Sequence, residues 1–129
     1  MYVLISGMYT VSREQFESLV NEGIEALPIL YRERMENVAI IAEDQPSPQQ
    51  RERLKLRGDQ TLLGLYEGVP LSARGGQVKL LPDKITLFKI PLEASSNGLD
   101  ELKENIRHTI WHETAHYFGL GHQRIHELE

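Results

Sequence analysis

Between Ile110 and His122 the chain reads Ile-Trp-His-Glu-Thr-Ala-His-Tyr-Phe-Gly-Leu-Gly-His, and no other stretch limits so tightly what the rest can fold into. His112 and His116 stand four apart, so on an α-helix they lie one above the other along a single stripe. Glu113 is displaced by about 100° around the axis and projects beside them. Gly119 can adopt the left-handed backbone that ends a helix, and the reversal would carry His122 back toward the pair. A fold for this sequence must gather a helix end, a sharp turn and a returning stretch of chain around one point.

Those residue types at that spacing, HExxHxxGxxH, suit a metal ion. The sequence has no cysteine, so a metal here must be held by His, Asp or Glu, and a disulfide framework or a cysteine nucleophile is excluded. His112, His116 and His122 are the expected ligands of one zinc ion. Three protein ligands leave a fourth tetrahedral position open, which distinguishes a catalytic zinc from a closed structural one. Glu113 is then the expected general base, taking a proton from water polarised by the ion and passing it to a leaving amine. HExxH alone arises by chance in roughly one or two chains per hundred of this composition; requiring Gly119 and His122 as well lowers that to on the order of one in ten thousand.

Two further histidines flank the motif. His108 continues the row, but eight helical residues span about 12 Å, too far for His108 and His116 to share one ion. It is read as a rim residue. His126 is read as a solvated or supporting histidine, since a fourth ligand would close the open position.

At 129 residues the chain has room for one compact domain, 1–129, and its 40% hydrophobic content suits a core. The net charge of −5 is spread along the sequence, with no basic run interleaved with aromatics, so nucleic acid is a poor partner. Met1 to Tyr9 lacks a basic region and a long apolar core, and no window approaches a membrane span. A cytoplasmic protein without a membrane partner is expected.

Ser12 and Gln15 fit a capping box for a helix over Ser12 to Leu27, with Val11 and Phe16 as its hydrophobic staple. Pro28 opens a second short helical piece ending near Asn37. Val38 to Ala42 is a continuous apolar run, which predicts a central strand buried on both faces. Gln45 to Arg57 reads as a linker with room for a helical turn. Strands are expected over Thr61 to Gly68 and Ile85 to Ile90, the latter closed by Pro91, with a loop through Pro70, Gly75 and Gly76 between them. A long helix starts at Asn97, with Asp100 and Glu101 at its positive end, a face of Leu99, Leu102, Ile106, Ile110 and Tyr117, and Gly119 as its stop. The natural packing of these parts is α+β, one twisted sheet covered by helices.

The sequence resembles the small bacterial zincin-like metallopeptidases, a minimal metzincin-type family. The resemblance runs through Leu62 to Leu71, Leu81 to Phe88 and His112 to Leu128, and the histidine motif is its most specific part. It implies a reduced metzincin-like core: a small mixed sheet, a backing helix and a C-terminal active-site helix. It also implies a peptide or unstructured protein substrate docking on an exposed edge strand above the zinc, for which Thr61 to Tyr66 and Thr86 to Ile90 are both candidates. The family carries Asp or His at the third-ligand position, which His122 fits. Metzincins also place a methionine turn after the third ligand. Here Met1, Met8 and Met35 all precede the motif, so the floor under the metal must be built differently.

Three readings follow: a zinc peptidase acting on short or unstructured peptides, a zinc-containing module that binds peptide with little or no catalysis, and a metal-dependent hydrolase of a non-peptide amide. Glu113 favours hydrolysis, because a structural site has no need of a carboxylate beside an open position.

Overall fold

The computed structural model describes residues 8–69 and 82–120. Helix α1 (Arg13–Glu25) begins where its sequence says it should: Ser12 is the N-cap and its hydroxyl accepts from Gln15 N. Its inward face of Phe16, Leu19 and Val20 is buried, and Val11 before the cap is buried with it. Helix α2 (Ile29–Arg34) follows Pro28, which serves as its N-cap. Strand β1 (Val38–Glu43) comes next. Helix α3 (Pro48–Arg53) then forms inside the stretch expected to be a linker, nucleated by a full capping box between Ser47 and Gln50 with Pro48 in the first turn.

Among the described residues, strands β2 (Gly64–Glu67) and β3 (Asp83–Phe88) form with β1 a three-stranded mixed sheet in the order β1-β3-β2. β1 runs parallel to β3, with Ile40 opposite Ile85, and β2 runs antiparallel to it, with Tyr66 opposite Ile85. The centre of the sheet is β3, where Ile85, Leu87 and Phe88 are wholly buried. Within the described sheet β1, expected to be central, lies at the edge, and its apolar run is only half-buried. Among the described strands the central place falls to β3, because an apolar run reports lack of polar contact, not the number of neighbouring strands.

The strand expected to continue to Ile90 stops at Phe88, and the chain turns into helix α4 (Lys89–Ala94). Pro91 does not merely close the strand; it sits in the first turn of α4, where its missing N–H leaves no hydrogen bond unmade. Glu93 of α4 is buried, and its Oε2 accepts from Lys89 Nζ at 2.9 Å and from Val11 N at 2.8 Å. That pair, together with the bond from Tyr9 N to Glu93 O, fixes the segment ahead of α1 against the end of the sheet.

Helix α5 (Leu99–Tyr117) packs Leu102, Ile106, Ile110 and Tyr117, all fully buried, against α1 and the sheet. Its Asn97 N–H is capped by the Glu101 carboxylate at 3.1 Å. Its end is fixed by Gly119 at φ 77°, with Gly119 N bonded to His116 O and Leu120 N to Ala115 O. These two bonds are the paired closures of a Schellman turn, and they need the left-handed conformation that a side chain would make costly. The architecture is α+β, a small mixed sheet backed by helices, with the histidine-bearing helix laid across it. Among the described residues no helix is long and apolar enough to cross a membrane.

Candidate active site

The last two turns of α5 separate their side chains into two groups. His112 and His116 lie on the outward stripe, their ring centroids 4.7 Å apart and tilted by 48°. Both are half-buried. Glu113, one position on from His112, turns inward, and its side chain is only 4% exposed. The helix thus presents two imidazoles at the surface and tucks the carboxylate beneath them, with Glu113 Oε1 3.8 Å from His116 Nδ1.

What receives the carboxylate is the side of β2 that faces away from β3. Phe88 N donates to Leu63 O, so Leu63, and by alternation Leu65 and Glu67, direct their backbone groups toward β3. Gly64 and Tyr66 direct theirs the other way. Tyr66 N–H therefore points off the sheet, and it donates to Glu113 Oε1 at 3.0 Å. Gly64 makes the approach possible. A Cβ at that position would lie 2.5 Å from Thr109 Cγ2 and 3.4 Å from Glu113 Cγ. Thr109 and Glu113 share one stripe of α5, and that stripe rests on the bare backbone of Gly64.

Burial pushes the Glu113 carboxyl up to about 7, against the opposing pull of the Tyr66 N–H on its charged form. An acid with that affinity can hold or release a proton near neutral pH. A cation at the imidazole pair would bring it down again.

The two histidines suit one metal ion. Tetrahedral zinc ligation at about 2.1 Å asks for nitrogens roughly 3.5 Å apart, and the centroid spacing is compatible with that. Among the described residues no group of three His, Cys, Asp or Glu side chains could hold a metal. The third expected ligand, His122, lies outside the described residues, as does His126. His108 sits one turn before His112 on the exposed rim, 3.0 Å from Glu104 Oε1.

Sequence reasoning missed the receiving side of the site: Gly64, the Tyr66 N–H and, behind Tyr66, Asp83. Tyr66 OH donates to Asp83 Oδ2 at 2.6 Å, and Asp83 is 2% exposed. A glycine inside a strand pattern marks a close backbone approach, and Gly64 was a usable signal of that kind.

No curated protein matches the chain in sequence. Its fold is similar to that of a conserved hypothetical protein from Thermo thermophilus, with a TM-score of 0.55 and 22% identity over 92% of this chain and 100% of that one. That likeness speaks for the fold alone. The family model described as zincin-like metallopeptidase matches residues 35–129, which include the sheet, α5 and the whole histidine motif. The chain belongs to the zincin-like metallopeptidase family.

Proposed function

We propose that the chain is a zinc-dependent peptidase, with His112, His116 and His122 as the metal ligands and Glu113 as the general base. The observation that carries this reading is the pairing of two outward imidazoles with a buried carboxylate one residue away, held by the edge of a β-strand. A zinc ion bound there supplies Lewis acidity to water and to the substrate carbonyl. The chain's own part is to place a base. Tyr66 N–H holds Glu113 Oε1 on the side of His116, and the carboxylate held there would take the proton from the attacking water and return it to the leaving amine.

Of the two edge strands of the described sheet, β2 is the one that meets Glu113. β3 is central and cannot accept a further strand, so Thr86 to Ile90 is not the docking edge. The outward side of β2 runs beside α5 and the base, so an extended peptide is placed along it. A domain of 129 residues has little surface for a deep cleft, which favours short or unstructured peptides as substrate.

The test is Glu113→Gln measured against wild type for zinc content and for hydrolysis of a peptide library. The expected result is one zinc per chain in both proteins and cleavage in wild type only. Unchanged turnover in the variant would exclude Glu113 as the base. Full zinc without cleavage by wild type would leave a peptide-binding module, and failure to bind zinc would remove the metal reading altogether.

A further inference from the structure

The carboxylate of Glu113 is placed no better than the strand that holds it. β2 is four residues long and, among the described residues, lies at the edge of the sheet, where no described strand pairs with its outer side. Yet Tyr66 is tied down in two further directions. Its hydroxyl donates to Asp83 Oδ2 at 2.6 Å, and its ring meets the edge of Tyr117 with centroids 6.2 Å apart at 82°. Both anchors are buried and bonded. Tyr117 is fully buried in the last turn of α5, and its hydroxyl accepts from Glu36 N at 3.0 Å. Asp83 is buried at the start of the central strand, where its N–H donates to Asn37 O at 3.0 Å. Gly68 closes over the Asp83 carboxylate so tightly that a Cβ there would collide with it.

We infer that Tyr66 is a positioning residue for Glu113, and that Asp83 is the anchor through which it acts. The side chain of Tyr66 fixes the sideways position of its own backbone N–H, and that N–H fixes Glu113 Oε1. The hydroxyl is engaged with Asp83, so the role assigned to Tyr66 is not that of an oxyanion donor. The inference rests on Glu113 being the base. A displacement of about 1 Å in a catalytic group can cost up to a hundredfold in rate, so an edge strand that carries a base needs such a tether.

The experiment uses the full, zinc-loaded chain in four variants: Tyr66→Phe, Asp83→Ala, Asp83→Asn and the double Tyr66→Phe/Asp83→Ala. Tyr66→Phe is expected to lower kcat roughly tenfold with KM within about twofold and zinc content unchanged. Asp83→Ala should match it. Asp83→Asn keeps an acceptor oxygen and should retain most of the activity. The double variant should be no worse than either single, because both remove one linkage. A second readout needs no turnover: amide exchange at position 66 should quicken in Tyr66→Phe and in Glu113→Ala, while Leu65 and Glu67, bonded to β3, stay protected. Losses that multiply in the double variant, or an unchanged kcat together with unchanged exchange at residue 66, would overturn the inference. If wild type holds zinc but cleaves nothing, the peptidase reading fails by itself, and the exchange data alone decide whether Tyr66 holds Glu113.

Discussion

Gly64→Ala is the smallest change that separates α5 from β2. The added Cβ would stand 2.5 Å from Thr109 Cγ2, 3.1 Å from Thr86 O and 3.4 Å from Glu113 Cγ. Ordinary carbon contacts lie near 3.5–4.0 Å, so the Thr109 methyl must retreat by about 1 Å. It has little freedom to do so by itself. Thr109 is fully buried and β-branched, and its hydroxyl is engaged with Asn105 O at 2.7 Å; the Thr86 oxygen belongs to the central strand. The helix must therefore lift as a body. Overpacking of this kind costs about 1–3 kcal/mol. For a chain of this size that is roughly 4–12 °C in Tm, read by circular dichroism. Because Thr109 and Glu113 lie on the same stripe, the lift also stretches the bond from Tyr66 N to Glu113, and kcat at 25 °C should fall about tenfold in protein that is still folded. Thr109→Ser removes the offending methyl and keeps the hydroxyl, so the double variant should regain most of both losses. A Gly64→Ala protein melting within about 1 °C of wild type, or no recovery in the double variant, would refute the packing argument.

Two other outcomes follow from the same geometry. In metal-free protein Glu113 titrates near 7 when folded and near its ordinary 4.5 when unfolded, so between those values the folded state binds the extra proton. Its contribution is fully present below pH 4.5 and is lost as pH rises to 7, by about 3 kcal/mol at most. Urea unfolding of chelator-treated wild type should show this fall relative to Glu113→Gln; a rise over the same window would contradict the sign, and zinc should suppress the difference. Gly119→Ala forces a side chain into φ 77° and should cost about 1–2 kcal/mol in thermal melts while weakening zinc affinity by calorimetry, since the turn leads to His122. Unchanged zinc affinity would count against His122 as a ligand.

The local parts of this molecule were legible because local rules set them. Ser12 with Gln15 marks the start of α1, and Gly119 marks the end of α5. The stripe shared by His112 and His116 needs only the pitch of a helix. Long-range pairing is harder to read. Val38 to Ala42 reads as central because it is apolar, yet the central strand of the described sheet is β3, whose sequence mixes Asp83, Lys84 and Thr86 among its apolar residues. Pro91 reads as the end of a strand because proline is unwelcome in both strand and helix interiors, and the exemption at a helix start hides α4. The partner of Glu113 lies 47 residues away along the chain and donates through its backbone, which no side-chain pattern can advertise. The loop through Pro70, Gly75 and Gly76 lies outside the described residues.

That hidden partner bears on what the site is for. A buried carboxylate with a backbone N–H on one oxygen and an imidazole edge nearby is an expensive thing for a fold to keep if it only has to pack. Glutamine would fill the same space, accept the same bond from Tyr66 and carry no charge. Metal-free Glu113→Gln should accordingly be at least as stable as wild type at pH 8, and the advantage should vanish at pH 4.5, where the native carboxyl is already neutral. If glutamine instead destabilises the metal-free fold at pH 8, the carboxylate has a structural duty that this geometry does not reveal. If it stabilises, the chain holds at position 113 a group that works against its own folding. The reason must then be sought in what an ionisable oxygen can do beside the imidazoles of His112 and His116.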